Sequence, residues 1–348
     1  MTFELQLIQS NQALAARLGY RLAPLEQLAT EVQSGLRFSA RTVKVRGRHR
    51  DLLVPDDSMK YVLREIAELL ALAERQFPAG VHGFVRSRSN VTNARAHGAA
   101  KYLQSFDLKD FFDNVSADMV FQALTALGIG ASPAGLIIDL AVVDNRLPQG
   151  SPASPSLSNL VLLPVDEELQ ALALECGARY SRFADDLAFT SSEPFDVSSR
   201  VASIVEAYGF ELNARKSRSF ASGQPLFVTG LYVGRAEIGL RKRFKRSLRL
   251  ELFMVEKHGL GTHALHRSSP EYVVRDYLNG RLHYAMQVDP VWTARLSQKY
   301  PTAWAALMPN RDKPSRSARL DSHRRRVLEE IEHRGQSLPP FREPMIRL

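Results

Sequence analysis

The chain of 348 residues is 45% hydrophobic and 24% charged, an ordinary globular balance, long enough for two or three domains or lobes. A net charge of +9 points to a polyanionic partner, nucleic acid ahead of an acidic membrane surface, and the single cysteine, Cys176, excludes an internal disulfide. With no run of about 18 uncharged apolar residues and no basic-then-apolar leader at the N-terminus, neither membrane insertion nor secretion is expected, and the cytoplasm is the expected compartment.

Residues 1–35 read as helical, with Leu5, Ile8, Leu14 and Leu18 near helical spacing. Phe38 to Pro55, "FSARTVKVRGRHRDLLVP", alternates and turns at Gly47, a basic hairpin. "DSMKYVLREIAELLALAERQF" carries Tyr61, Leu63, Ile66, Leu69, Leu70 and Leu72 at helical period and stops at Pro78 and Gly80. "KYLQSFDLKDFFDNV" is a strand running into a turn. "LPQGSPASPSLSNLVLLPVDEELQALALE" is a Gly/Pro/Ser loop feeding a helix that Pro164 should kink or break. "YSRFADDLAFT" (180–190) forms a hairpin, followed by a helix from Val197 to Tyr208 and short strands near Leu226 to Val233 and Glu237 to Leu240. "RKRFKRSLRL" (241–250) holds six basic residues and no acid; helices continue to about Trp304, and a basic tail follows.

The hairpin poses an electrostatic problem. Aspartate is depleted in strands, and two carboxylates about 4 Å apart repel by ~4 kcal/mol at an effective dielectric near 20. Asp185 and Asp186 are either the solvated tip of a turn or ligands of a divalent cation. Asp107 ends a second apolar strand. If that strand lies beside the hairpin, three carboxylates converge, a set suited to two Mg²⁺ ions about 3.5–4 Å apart that clamp an in-line nucleotidyl transfer. Asp110 and Asp113 read as turn acids, and Ser151 and Ser154 as capping or loop residues.

The order "FDLKDFF", "LPQGSPASPSLSNL", "FADD", "GFELNARK" resembles the palm motifs of reverse transcriptases. "NARAH" (93–97) and "VTGL" (228–231) are similar to signatures of the retron type, bacterial enzymes that copy part of a dedicated noncoding RNA into branched multicopy DNA. The resemblance spans roughly residues 40–240 and implies an α+β right-hand polymerase fold with an antiparallel palm sheet and a helical thumb. Its expected parts are an N-terminal helical region (1–35), fingers (36–104), a palm (105–240) with a fingers insertion around 116–148, a thumb (241–310) and a basic tail (311–348).

By resemblance, Asp107, Asp185 and Asp186 are the catalytic metal ligands, and the carbonyl of Leu108 completes one coordination shell, with Mg²⁺ as cofactor and Mn²⁺ as a substitute. Lys44 and Arg50 grip the triphosphate, Phe112 excludes a 2′-hydroxyl, Gln149 and Gly150 approach the nascent pair, and Lys216 acts near the leaving pyrophosphate. Asn93 and His97 either touch RNA or brace fingers against palm. Val228, Thr229 and Gly230 face the cognate RNA, and Arg241, Lys242, Arg243, Lys245 and Arg246 follow the duplex. Taken without the resemblance, the basic hairpin is a solvated surface, His97 a core histidine and "VTG" a strand and turn.

The implied partners are a cognate noncoding RNA with its DNA product, deoxynucleoside triphosphates and a separate antiphage effector, with no membrane. Other readings are a reverse transcriptase of another lineage, whose longer region after the thumb or altered "QGSPASP" loop is not found here, and an RNA-binding or antitoxin-like scaffold with dispensable polymerase activity. The usual tyrosine before Ala-Asp-Asp is replaced by Phe183, which keeps the ring and drops the hydroxyl.

Overall fold

The computed structural model describes residues 3–45 and 48–308, without the side chains of residues 3, 45, 48 and 50; the basic tail lies outside the described residues. Two compact units divide between Gln224 and Pro225, ahead of the palm–thumb boundary expected at residue 241.

In the first unit, α1 (Phe3–Gln6), α2 (Asn11–Leu18) and α3 (Leu22–Gln33) bury Leu5, Leu14, Leu18 and Leu25, and the link between the first two buries Ile8. Ser10 caps α2 by accepting from the Ala13 amide, and Gly19 ends it in the left-handed region at φ 83°. The basic hairpin is β1 (Phe38–Val45) against β2 (Arg48–Pro55), antiparallel with Lys44 opposite His49. Asp56 caps α4 (Asp57–Leu70), and a 3₁₀ turn (Ala71–Gln76) carries the chain to α5 (Asn90–Arg95). The apolar stripe of α4, Met59, Leu63, Ile66 and Leu70, is buried with the N-terminal helices in one continuous core, so residues 3–33 pack as part of this unit.

The central sheet has the strand order β4-β5-β3-β6, all neighbours antiparallel. β3 (Tyr102–Asp107) leads into a 3₁₀ turn over Phe111–Asn114, then α6 (Ala117–Ala126), α7 (Ala131–Ala141) and α8 (Ser154–Val161). The break expected at Pro164 falls at Leu162, and α9 (Leu163–Glu175) starts with that proline in its first turn, where no amide hydrogen is needed. β4 (Arg179–Phe183) and β5 (Asp186–Ser191) form the acidic hairpin, followed by α10 (Ser198–Ala207) and β6 (Arg218–Phe220). Cys176 is half-buried and free.

The second unit opens with β7 (Phe227–Val228) and β8 (Leu231–Tyr232), joined through Thr229 at φ 44° and Gly230 at φ 87°. Two consecutive left-handed residues make the two-residue turn that matches strand twist, and glycine meets that demand at lowest cost. Helices α11 (Lys242–His258), α12 (Leu260–His266), α13 (Glu271–Val288), α14 (Pro290–Lys299) and α15 (Pro301–Leu307) follow. They bury Leu248, Leu252, Leu278, Leu282 and Leu307. No helix among the described residues is long and apolar enough to cross a membrane.

Candidate active site

Sheet register brings the three acids together. Asp107, the last residue of β3, stands directly opposite Asp186, the first of β5, and Asp186 is also paired with Phe183 across the hairpin. Ala184 and Asp185 form the turn, Ala184 in the left-handed region at φ 58°. The Leu108 amide donates to the Asp185 carbonyl at 3.0 Å, and the Asn213 amide to the Asp107 carbonyl at 2.8 Å, so the strand end is tied to the hairpin and to the segment carrying Lys216. One carboxylate oxygen from each of Asp107, Asp185 and Asp186 lies within 4.8 Å of the others. Asp107 is buried at 5% exposure, Asp185 half-buried and Asp186 exposed.

Like charges directly opposed on a sheet are destabilising. Burial of the Asp186 carboxyl, then the charges of Asp185 and Asp107, push it up to about 6, although the residue as a whole is exposed and solvent screens part of that penalty. The ammonium of Lys216 donates to both oxygens of Asp107, at 2.6 and 2.8 Å. That hydrogen bond, opposed by partial desolvation, holds the lysine above its ordinary value. A converging carboxylate set that draws in Lys216 has the donor chemistry of a divalent-cation site. Lys216, expected near a leaving group, is here bonded to Asp107.

The loop before α8 packs on the fingers hairpin. The Leu53 amide donates to the Gln149 carbonyl at 3.1 Å, and a Cβ on Gly150, at φ 137°, would stand 2.9 Å from the Leu53 carbonyl oxygen. Glycine is required there both by backbone conformation and by the close approach. The Gln149 side-chain amide donates to Asp113 at 3.1 Å. Ser154 donates to the Pro148 carbonyl and Ser151 accepts from the Ala153 amide, both loop roles.

Phe111 and Phe112 sit in a 3₁₀ turn and divide their duties. Phe111 is buried at 4% exposure beside Phe210, whereas Phe112 is half-buried, 6.2 Å from the exposed ring of Phe84. Lys44 is exposed on β1, and Arg50 is on β2 with its side chain outside the described residues.

Asn93 and His97 are placed away from any RNA-accessible surface, at 1% and 0% exposure. The two ring nitrogens of His97 contact the hydroxyls of Thr190 and Ser181, each at 2.6 Å, which joins the end of α5 to both hairpin strands. Desolvation, then Arg179 and His82, push it down to about 3, so the ring is neutral. Direct RNA contact by two side chains this enclosed is corrected; His97, a neutral ring, instead braces the end of α5 against the hairpin.

In the second unit, Val228 is buried, Thr229 half-buried and Gly230 exposed. Arg241 donates to the Gly230 carbonyl at 3.1 Å and stacks on Phe227 at 4.2 Å. Lys242, Arg243 and Arg246 are exposed on α11, while Lys245 is held by Asp289 at 2.5 Å and lies 4.9 Å from the Trp292 ring. Lys245 therefore has a structural partner in Asp289, and Leu248 supplies the buried side of the helix.

A polar network below the hairpin was not anticipated. Arg182, one residue from the turn on β4, is buried at 1% exposure and pairs with the equally buried Asp166 of α9 at 2.6 Å. Asp166 also accepts from the Tyr180 hydroxyl at 2.7 Å. The signal was present as Arg182 in "YSRF" and as Asp166, the first of the three acids in "LPVDEEL".

Residues 44–239 match the family "Reverse transcriptase (RNA-dependent DNA polymerase)". The chain is 33% identical over 267 residues to the retron Mx162 reverse transcriptase of Myxococcus xanthus, covering 66% of this chain and 54% of that protein. It is 32% identical over 277 residues to the retron Mx65 reverse transcriptase of the same organism, covering 73% and 61%. It thus spans little more than half the length of these relatives. Against the retron Ec86 reverse transcriptase of Escherichia coli it is 28% identical over 226 residues, covering 62% and 69%. Among solved structures it is similar to telomerase from Candida albicans in complex with a telomeric RNA fragment, at a TM-score of 0.47 and 11% identity, over 86% of this chain and 61% of that one. With more than half of its length matching the family and the three acids brought to one end of an antiparallel sheet, the chain belongs to the reverse transcriptases, of retron type, with their α+β right-hand fold.

Proposed function

We propose that the protein is an RNA-directed DNA polymerase that copies part of a cognate noncoding RNA into branched multicopy DNA, starting from a guanosine 2′-hydroxyl, within an antiphage system that includes a separate effector. The observation that carries the polymerase reading is the convergence of Asp107, Asp185 and Asp186 through the β3–β5 register in a chain of this family. Retron relatives support the RNA template and the product.

Family membership implies dependence on a divalent metal, and these three carboxylates are the set among the described residues that could hold it. Two Mg²⁺ ions, with Mn²⁺ as a substitute, would supply Lewis-acid stabilisation of the charge that develops during transfer. In the reaction a primer hydroxyl oxygen forms a bond to the α-phosphorus of a deoxynucleoside triphosphate, the α–β phosphoanhydride bond breaks, and pyrophosphate leaves. Lys44 and Arg50 are the cations of the hairpin assigned to the triphosphate, and the Gly150 loop, fixed to that hairpin through Leu53, brings backbone to the base pair. Phe112, half-buried beside Phe84, limits room at the sugar. Lys216 must release Asp107 to meet the leaving pyrophosphate. The exposed cations of α11 hold phosphates of the template duplex in a salt-dependent way.

The test is extension of a primed RNA template by the wild type and by Asp185→Asn and Asp186→Asn. Loss of extension in both variants is expected; extension that survives refutes the metal-site reading and favours a scaffold with a dispensable site. Nucleic acid copurified with the chain should include an abundant short DNA joined to RNA. Random cellular RNA alone would remove the retron part and leave the polymerase part standing.

A further inference from the structure

The guanidinium of Arg182 is shared among three segments. Its Nε and Nη2 donate to the two oxygens of Asp166 on α9, at 2.8 and 2.6 Å. Its Nη1 donates to the side-chain oxygen of Asn159 on α8 at 2.9 Å and to the backbone carbonyl of Ala184 at 3.1 Å. Ala184 is the left-handed residue of the turn that presents Asp185 and Asp186. The Asn159 side-chain amide then donates to the Gly83 carbonyl at 2.9 Å. From the other side, Gly83 closes on the same turn: a Cβ there would stand 2.2 Å from the Ala184 nitrogen.

Stability alone does not account for this arrangement. An enclosed ion pair is often no more stabilising than apolar side chains of similar volume, because both charges lose their water. What the planar fork of arginine adds is direction, since several donors in fixed geometry can fasten several acceptors at once. One of those acceptors is the backbone of the acid-bearing turn, and a left-handed alanine carries strain that surrounding contacts must hold.

We infer that Arg182 is a positioning residue for the catalytic acids: by fastening the Ala184 carbonyl to Asp166 and Asn159, with Gly83 pressed on the turn from outside, it sets where Asp185 and Asp186 stand relative to Asp107. This deepens the metal-site reading and rests on it. α8 carries Asn159 and follows directly on the loop holding Gly150, so the same guanidinium links the acids to the nucleotide loop. Arg182 is enclosed at 1% exposure, so its effect reaches the reaction through the turn.

The measurement is the dissociation constant for Mn²⁺ of the full chain without nucleotide, from the electron paramagnetic resonance of free Mn²⁺, well below each variant's unfolding midpoint. kcat and KM for a deoxynucleoside triphosphate are measured alongside. Arg182→Lys keeps the charge for Asp166 but not the fork. It should weaken Mn²⁺ by about ten-fold or more and lower kcat, with KM within about two-fold, as expected when groups supporting metal ligands are changed. Gly83→Ala should do the same with the guanidinium network intact, and it decides the matter if Arg182→Lys does not fold. Asp185→Asn is the control: Mn²⁺ binding should be lost. Folded Arg182→Lys or Gly83→Ala protein that binds Mn²⁺ within about two-fold of wild type, while Asp185→Asn has lost it, overturns the positioning role. Wild-type binding by Asp185→Asn overturns the metal site itself.

Discussion

Replacing Asp186 with asparagine should stabilise the metal-free protein while destroying its activity. The side chains are nearly isosteric, so no cavity forms and the chief change is electrostatic. Burial and the facing charges of Asp185 and Asp107 raise the Asp186 carboxyl from an ordinary 3.8 to about 6. At about 1.4 kcal/mol per pH unit, ionising it in the folded chain is opposed by roughly 3 kcal/mol. The residue is exposed, however, and solvent screening reduces the usable figure to about 1 kcal/mol. The sign follows from proton binding. Between pH 4 and 6 the folded state binds the proton more tightly than the unfolded one, so the penalty is absent below pH 4 and complete above pH 6. In chelator at pH 7.5, Asp186→Asn should unfold about 2–4 °C above wild type, and the gap should close towards pH 4.5. His82 and His97, pushed down to about 4 and 3 chiefly by burial, destabilise both proteins equally as pH falls below 6.5 and cancel in the difference. Adding Mg²⁺ should reverse the order, because only the wild type gains from binding. A variant no more stable than wild type at pH 7.5, or a gap independent of pH, refutes the reasoning.

Phe112→Ala should raise incorporation of ribonucleotides relative to deoxynucleotides by about ten-fold or more, read from paired kcat/KM values. Phe111→Ala should leave that ratio unchanged and cost about 3–5 kcal/mol in denaturant unfolding, since Phe111 is the core ring of the two. Gly150→Ala forces a Cβ against the Leu53 carbonyl at a backbone angle reserved for glycine, and should cost about 1–3 kcal/mol while lowering kcat/KM for the nucleotide several-fold. An unchanged kcat/KM would separate this loop from the nucleotide. Phe183→Tyr should leave extension rates within about a few-fold, and a larger change would assign a task to the missing hydroxyl.

How far the sequence could be read depended on whether a residue's surroundings were local. Period and punctuation placed the hairpin at 38–55, the helix after Asp57, the break near Pro164 and the basic helix after Arg241, because these features depend on neighbours within a turn or two. Asp107 and the Asp185–Asp186 pair were legible because clustered charge in apolar strands demands an explanation wherever it occurs. The surroundings of His97 were not: its hydroxyl partners lie 93 and 84 residues away, and a histidine alone does not say whether it meets RNA or the core. Arg182 was missed for the same reason, since its partners are on two helices earlier in the chain. Lys216 was legible as a cation near the site, but its bond to Asp107 depends on a loop folded over the end of β3.

The segment from Gly80 to Gly83 has a further consequence for the sheet. β4 is an outer strand in the order β4-β5-β3-β6, and such a strand offers unpaired amides and carbonyls to any passing chain. Here the Arg182 amide donates to the Gly80 carbonyl, and the amides of His82 and Gly83 reach back to the Arg182 carbonyl. Val81 is bridged in parallel to Arg182, too briefly to count as a strand yet enough to cap the border where the acidic turn begins. The contact shields β4 at that point from strand addition by a second molecule, so a change at Gly80 or Gly83 should show itself as aggregation as well as lost activity.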